Sequence, residues 1–211
     1  MPRIIAILFL AIAILITLAT FGCGGSKPAR FYLLQSAPSD HPSMPSGDLS
    51  DYTLIGMLPM TMPDYLMRPQ IATHMTGNRL DYAEYDRWAE PLLDTMMRVV
   101  TADIERGLPG YIVADYPWVA NLQIQYRIIL EFNRFDLYDD GSAALEVSWA
   151  IGQDRHGPFV HIDTIHLTES YEEDKKPDYS SRVAALNRLL EKLTQQITDK
   201  LGLFVQNQPA R

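Results

Sequence analysis

The sequence predicts an α/β domain, a layered sandwich of a mixed, largely antiparallel sheet with two long amphipathic helices. Three patterns carry this expectation. Apolar and polar residues alternate through much of 121–168, as they do in strands with one wet face. Two segments, 86–106 and 181–201, repeat apolar residues at three- and four-residue spacing, as helices lying on a core do. Hydrophobic residues make up 47% and charged residues 21% of 211, which supplies one compact core and excludes wholesale disorder.

The first element is a leader. After Arg3, residues 4–18 are apolar apart from Thr17, and no charge follows until Lys27. As a helix this run would span about 22 Å, short of the ~30 Å hydrocarbon core of a bilayer. A basic start, a short apolar run and small residues are the layout of a secretory signal. The sole Cys of the chain, Cys23, closes the run in Ala19-Thr20-Phe21-Gly22-Cys23-Gly24-Gly25. The segment resembles a bacterial lipoprotein signal, in which this Cys is lipidated and becomes the first residue after cleavage. Thr20 departs from the Leu usual three residues before the Cys; the alternative is an uncleaved anchor helix. The resemblance implies residues 1–22 as signal peptide and 23–30 as a lipidated tether. Gly24, standing where an Asp would mark inner-membrane retention, implies the periplasmic face of the outer membrane.

The body of the chain reads in order. Arg30–Leu34 is a short strand, and Ser36–Asp48 a Pro/Ser-rich loop. Tyr52–Leu58 is a second strand. Gln70–Met75 and Arg79–Tyr82, joined by Thr76-Gly77-Asn78, form a hairpin. A helix is expected from Asp86 to Arg106, with Trp88, Leu92, Met96, Val99, Val100 and Ile104 on its apolar stripe, so that Trp88 is a core residue. Gly107-Leu108-Pro109-Gly110 stops it. The segment 121–168 is an antiparallel meander with turns at Asp139-Asp140-Gly141 and Asp154–Gly157. The apolar parity changes between Phe132 and Phe135 and again between Ile162 and Ile165, so a bulge is expected in either strand. The last helix, Ser181 to Leu201, carries Val183, Leu186, Leu190, Leu193, Ile197 and Leu201 on one stripe, with Gly202 as its stop.

Several function classes are excluded. A net charge of -8 argues against a nucleic-acid binder, which needs a basic face. One Cys allows no internal disulfide. No Gly-x-Ser-x-Gly, phosphate-binding Gly loop or His-Glu-x-x-His occurs. His156, His161 and His166 are evenly spaced, but five residues of strand separate neighbours by about 16 Å, too far to share an ion bound at ~2 Å. The expectation is therefore no metal site and no cofactor. Glu169, Glu172, Glu173, Asp174 and Asp178 read as a solvated acidic run.

One motif remains. Met62-Pro63-Asp64-Tyr65-Leu66-Met67-Arg68-Pro69-Gln70-Ile71 places an aromatic and a cation between two prolines. Pro63 and Pro69 fix their own φ and restrict the residues before them, so the loop is stiff. A stiff loop loses little entropy on binding, which suits a contact surface of Tyr65, Leu66, Arg68 and Gln70. The same residues suit a structural crossover with Tyr65 and Leu66 in the core.

Phe31-Tyr32-Leu33-Leu34, Pro63–Ile71, Asn78-Arg79-Leu80 and Arg87-Trp88-Ala89-Glu90-Pro91-Leu92 together resemble the auxiliary lipoproteins of ABC-type lipid transporters, the PqiC/YmbA-like group. Met67 stands where that family often has an acidic residue. The resemblance covers essentially all of 23–205, with the domain at 31–205 and 206–211 as a tail, and it implies a non-enzymatic role. Such lipoproteins are the outer-membrane-tethered partners of systems in which an inner-membrane permease and a periplasm-spanning MCE-domain protein carry lipid between membranes. Because MCE proteins are commonly rings, a homo-oligomer would gain by avidity. A structural, scaffolding envelope lipoprotein with no role in lipid transport is the alternative.

Overall fold

In the computed structural model, which describes residues 27–36, 47–118, 122–172 and 179–206, two sheets lie against a pair of helices. The leader with Cys23, most of the Pro/Ser-rich loop, Glu173, Asp174 and Asp178 lie outside the described residues. The strands are β1 (Arg30–Tyr32), β2 (Thr53–Met57), β3 (Gln70–Met75), β4 (Arg79–Trp88), β5 (Tyr111–Asp115), β6 (Tyr126–Leu137), β7 (Ser142–Gln153) and β8 (Phe159–Ser170). The helices are α1 (Leu92–Gly107) and α2 (Ser180–Gln206).

One sheet has the order β1-β4-β3 and the other β5-β2-β6-β7-β8. The pairs β3–β4, β6–β7 and β7–β8 are antiparallel, while β1–β4, β2–β5 and β2–β6 are parallel. The expected α/β layering and mixed pairing are therefore present. The two sheets meet along β6, where Thr61 bridges Glu131 and His74 bridges Tyr138.

Alternation decides which face of the long strands is covered. Ile128, Leu130, Phe132, Phe135 and Leu137 of β6, and Ala143, Leu145, Val147, Trp149 and Ile151 of β7, are at most 2% exposed. They share one core with the helices, which contribute Met96, Val99, Val100 and Ile104 from α1 and Leu186, Leu189, Leu190, Leu193 and Ile197 from α2. Burying a side chain of this size contributes roughly 1.5–3 kcal/mol. The intervening residues, Glu131, Asn133 and Arg134 of β6 and Thr164, His166 and Thr168 of β8, face away from the helices and are exposed.

Five readings of the sequence need correction. The first helix begins at Leu92, not Asp86, and Trp88 is the last residue of β4. Residues 86–88 are held as strand from both sides, by β1 and, at Arg87, by Gln70 of β3. Pro91 then sits just outside the helix at φ -51° and ψ 127°, and it disfavours helical backbone at Glu90. Trp88 is nonetheless core, 7% exposed. Second, β5 was not foreseen: Tyr111–Asp115 has little alternation and is held by its parallel pairing to β2. Third, the meander starts at Tyr126 rather than 121, with Ile124 buried outside any strand. Fourth, the irregularity expected between Ile162 and Ile165 lies nearer the turn, where the register shifts between Ile151 and Gly152. Ile162 is an apolar residue on the exposed face, at 74%, so no parity change occurs. The shift expected in β6 does fall between Phe132 and Arg134. Fifth, in α2 every residue of the expected stripe is buried, but the helix runs through Gly202 to Gln206.

His161 and His166 point to opposite sides of β8. His161 meets the Trp149 ring edge-on at 5.5 Å, and His166 Nδ1 lies 3.4 Å from Glu146.

Candidate functional site

The 62–71 loop leaves the edge of β6, where Thr61 N donates to Leu130 O and Phe132 N to Thr61 O, on its way into β3. Pro63 directs the chain, at φ -59° and ψ 142°, into a single 3-10 turn over Asp64–Leu66. Leu66 N donates to Pro63 O and Met67 N to Asp64 O, at 3.0 and 3.1 Å. Pro69, which has no N–H of its own, accepts from Trp88 N through its carbonyl at 2.7 Å. Loop and strand end are thereby tied together.

The structure separates the four candidate contact residues. Leu66 is 7% exposed and faces the space lined by Ile71, Trp88, Leu92, Phe135, Leu137 and Leu186. Tyr65 is half-buried and donates its hydroxyl to Asp136 Oδ1 at 2.6 Å. Arg68 is exposed, with its guanidinium carbon 4.7 Å from the centre of the Tyr82 ring. Gln70 is half-buried at the start of β3. Tyr65 and Leu66 hold the loop, and Arg68, Gln70 and the exposed Met67 are what it presents.

Asp136 is the residue that sequence reasoning missed. Its side chain is 3% exposed, yet it belongs to the polar side of β6. Tyr65 closes it off from one side, and Tyr138 OH donates to Oδ2 at 3.4 Å. Arg134 Nε lies 3.5 Å from Oδ2. His74 Nε2 lies 3.2 Å from Oδ1 but makes no aligned hydrogen bond. A buried carboxylate needs such donors. The signal for it was available: a single acid among Phe135, Leu137 and Tyr138 at a position the alternation turns away from the helices.

Burial, followed by the hydrogen bond to Asp136, raises Tyr65 above the ordinary tyrosine range. Tyr138 is raised by burial and then by the Asp136 charge. Because Tyr65 holds its proton more tightly folded than unfolded, its stabilising share is complete below about pH 10 and is lost as pH rises through the folded value. We expect Tyr65→Phe to cost ~1–3 kcal/mol at pH 7, since Asp136 loses its shortest donor. The substitution should also flatten the alkaline loss of stability. Urea unfolding at pH 7 and at pH 10.5 measures both, and identical pH slopes for the two proteins would disprove the assignment.

A second buried carboxylate fixes the entry of the chain. Asp86 accepts from Arg30 Nε and Nη2, both at 2.7 Å, and from Tyr32 OH at 2.8 Å. Tyr179 N donates to Tyr32 Oη at 3.0 Å, so β1, β4 and the start of α2 share one polar knot. Among the described residues no group of three His, Cys, Asp or Glu is placed to hold a metal ion, and no helix is long and apolar enough to cross a membrane.

The comparisons with known proteins follow this geometry. No curated protein matches the sequence. A solved structure of an uncharacterized protein superposes with a TM-score of 0.67 at 18% identity, over 83% of this chain and 99% of that one. A Xanthomonas campestris protein superposes with a TM-score of 0.61, also at 18% identity, over 81% of this chain and 93% of that one. At that identity the likeness is one of fold. The model of the ABC-type transport auxiliary lipoprotein component family, which is not a family of enzymes, matches residues 32–198. That span takes in the Tyr65 loop, both buried carboxylates, α1 and all but the last two turns of α2, and the chain belongs to this family of membrane-anchored transport lipoproteins.

Proposed function

We propose that this chain is the non-enzymatic, outer-membrane-tethered auxiliary lipoprotein of an MCE-type lipid transport system. In this reading it links a periplasm-spanning MCE-domain protein, and through it an inner-membrane permease, to the outer membrane, and so supports envelope integrity. The observation that carries it is the family match over 32–198, joined to a Cys that ends an apolar leader. Arg68 and Gln70, held out by the inward-facing Tyr65 and Leu66, form part of the contact surface, and a homo-oligomer is favoured by avidity against a ring-shaped partner.

The test is a pull-down of the full chain from native envelope, with mass spectrometry of proteins and lipids. Co-purification of the MCE-domain protein with bound lipid supports the reading. A stable complex of other envelope proteins, free of both, would replace it with scaffolding. Cys23 is tested separately. Labelled palmitate should enter the wild type and be lost in Cys23→Ser, which should move from the membrane to the soluble fraction. Several acyl chains, at roughly 0.8 kcal/mol per buried CH₂, hold a domain stably. Equal labelling of both proteins would exclude Cys23 as the anchor.

A further inference from the structure

The helix-free face of the five-stranded sheet carries a second feature, at the opposite end of β6 from Asp136. Arg127, Gly152 and Phe159 stand in register across β6, β7 and β8. A Cβ on Gly152 would come within 2.8 Å of Arg127 Nη2, so glycine leaves the room in which the guanidinium lies across the strand. It does so with its central carbon 5.1 Å from the Phe159 ring centre. On the other side of Arg127 is Gly56 of β2, where a Cβ would come within 2.3 Å of Trp118 Cζ2. The indole therefore rests on β2, its Nε1 donating to Ala114 O at 2.9 Å, with Tyr116 edge-on at 5.6 Å. The next row is Ile129, Ala150 and Ile162.

This face is apolar and open. Tyr116, Phe159, Val160 and Ile162 are 54%, 42%, 44% and 74% exposed, half of the eight large hydrophobic residues exposed among the described residues. Tyr, Trp and Arg are the types that dominate binding energy, and here stacking fixes them in advance. Arg127 also donates to Gly157 O, and no carboxylate pairs with it among the described residues. The patch reaches β8, an edge strand, and an exposed apolar edge is a liability unless something covers it.

The path of the chain into the domain places the patch relative to the tether. Tyr32 meets Tyr179 at the start of α2, and Gln35 N donates to Asn187 further along the same helix. The chain thus enters the domain beside the start of α2 and runs toward its end. The end of α2 lies with the start of β6, where Phe204 meets Tyr126 at 6.2 Å, and this is the end that holds the patch. The 27 residues of α2 span about 40 Å. Residues 23 to 30 reach about 24 Å fully extended. A domain anchored through Cys23 therefore holds the patch at the far end of α2 from its tether, and the net charge of -8 of the full sequence gives no attraction to anionic lipid.

We propose that the patch of Tyr116, Trp118, Arg127, Phe159, Val160 and Ile162 is the docking surface for the periplasm-spanning protein of the system. The docked segment carries apolar side chains that cover Phe159, Val160 and Ile162, while the buried Arg127 supports Phe159 from beneath. This inference rests on the transport reading above and names the surface that serves it. The test places a photo-crosslinking benzoylphenylalanine at position 162, or at position 68, of the full chain in its native cells. The expected result is an adduct of the 162 probe with the MCE-domain protein, reduced about tenfold by Phe159→Asp without a change in Tm. Val160→Asp serves in its place if Phe159→Asp lowers the Tm. An adduct at 162 with a second copy of this chain, with lipid alone, or with nothing overturns the proposal. If the 68 probe captures the MCE-domain protein and the 162 probe does not, the transport reading stands and the patch falls. If neither captures it, the patch falls, and the pull-down from native envelope alone decides the transport reading.

Discussion

Trp88→Ala should lower the stability of the domain by ~3–5 kcal/mol, as large-to-small core substitutions do. Trp88 is 7% exposed and lines the space between Leu66, Ile71, Leu92, Phe135, Leu137 and Leu186. It is where the loop, both sheets and both helices converge. Its backbone N–H also holds Pro69 O, so a local collapse would drag the loop with it. Arg68→Ala is the paired control. Arg68 is exposed and stacks on Tyr82, so its removal should change stability by about 0.5 kcal/mol or less and weaken association with the partner. Urea unfolding of both variants, with binding measured on the folded fraction, separates the two roles. If Arg68→Ala unfolds the domain while its folded fraction binds normally, the loop is purely structural.

The two residues also show what the sequence could and could not disclose. Trp88 was legible as core because a large aromatic beside Leu92 satisfies either periodicity. Its element was not, because Trp88, Leu92 and Met96 have helical spacing by coincidence across a strand end and a helix start. Only pairing partners remote in sequence, Phe31 and Gln70, decide that Arg87 and its neighbours are extended. The long meander and α2 were legible because each repeats its own period over many residues. β5 was not, being five residues whose existence depends on β2. In the loop, stiffness followed directly from Pro63 and Pro69. The inward turn of Tyr65 and Leu66 did not, since it is set by Asp136, some seventy residues away. The exposed patch escaped for a similar reason. Gly56, Arg127, Gly152 and Phe159 are unremarkable one by one and become a surface only when β2, β6, β7 and β8 align them.

Asp86→Ala should approach Trp88→Ala in cost and should also free the tether. Asp86 is 4% exposed and accepts three hydrogen bonds from Arg30 and Tyr32. Deleting one member of a buried, hydrogen-bonded ion pair costs ~3–5 kcal/mol, because its partners are left without an acceptor. Here part of that cost can be escaped, since Arg30 is 43% exposed on its side chain and can turn to water. The escape carries a structural consequence. β1 is three residues long and pairs with the end of β4, so without the knot it is left with that pairing, the Ala89 N bond to Tyr32 O and the Tyr32–Tyr179 contact. Residues 27–32 should then detach, lengthening the tether by about 20 Å of extended chain and removing the relation between anchor and domain. Hydrogen exchange gives the decisive measurement. In Asp86→Ala the amides of 30–32 should lose protection while those of β6 and β7 keep theirs. In Arg30→Ala, where Tyr32 still reaches Asp86, the loss should be smaller. Unchanged protection at 30–32 in Asp86→Ala would mean that β1 is held by its backbone pairing alone, and that the carboxylate does not govern where the chain enters the domain.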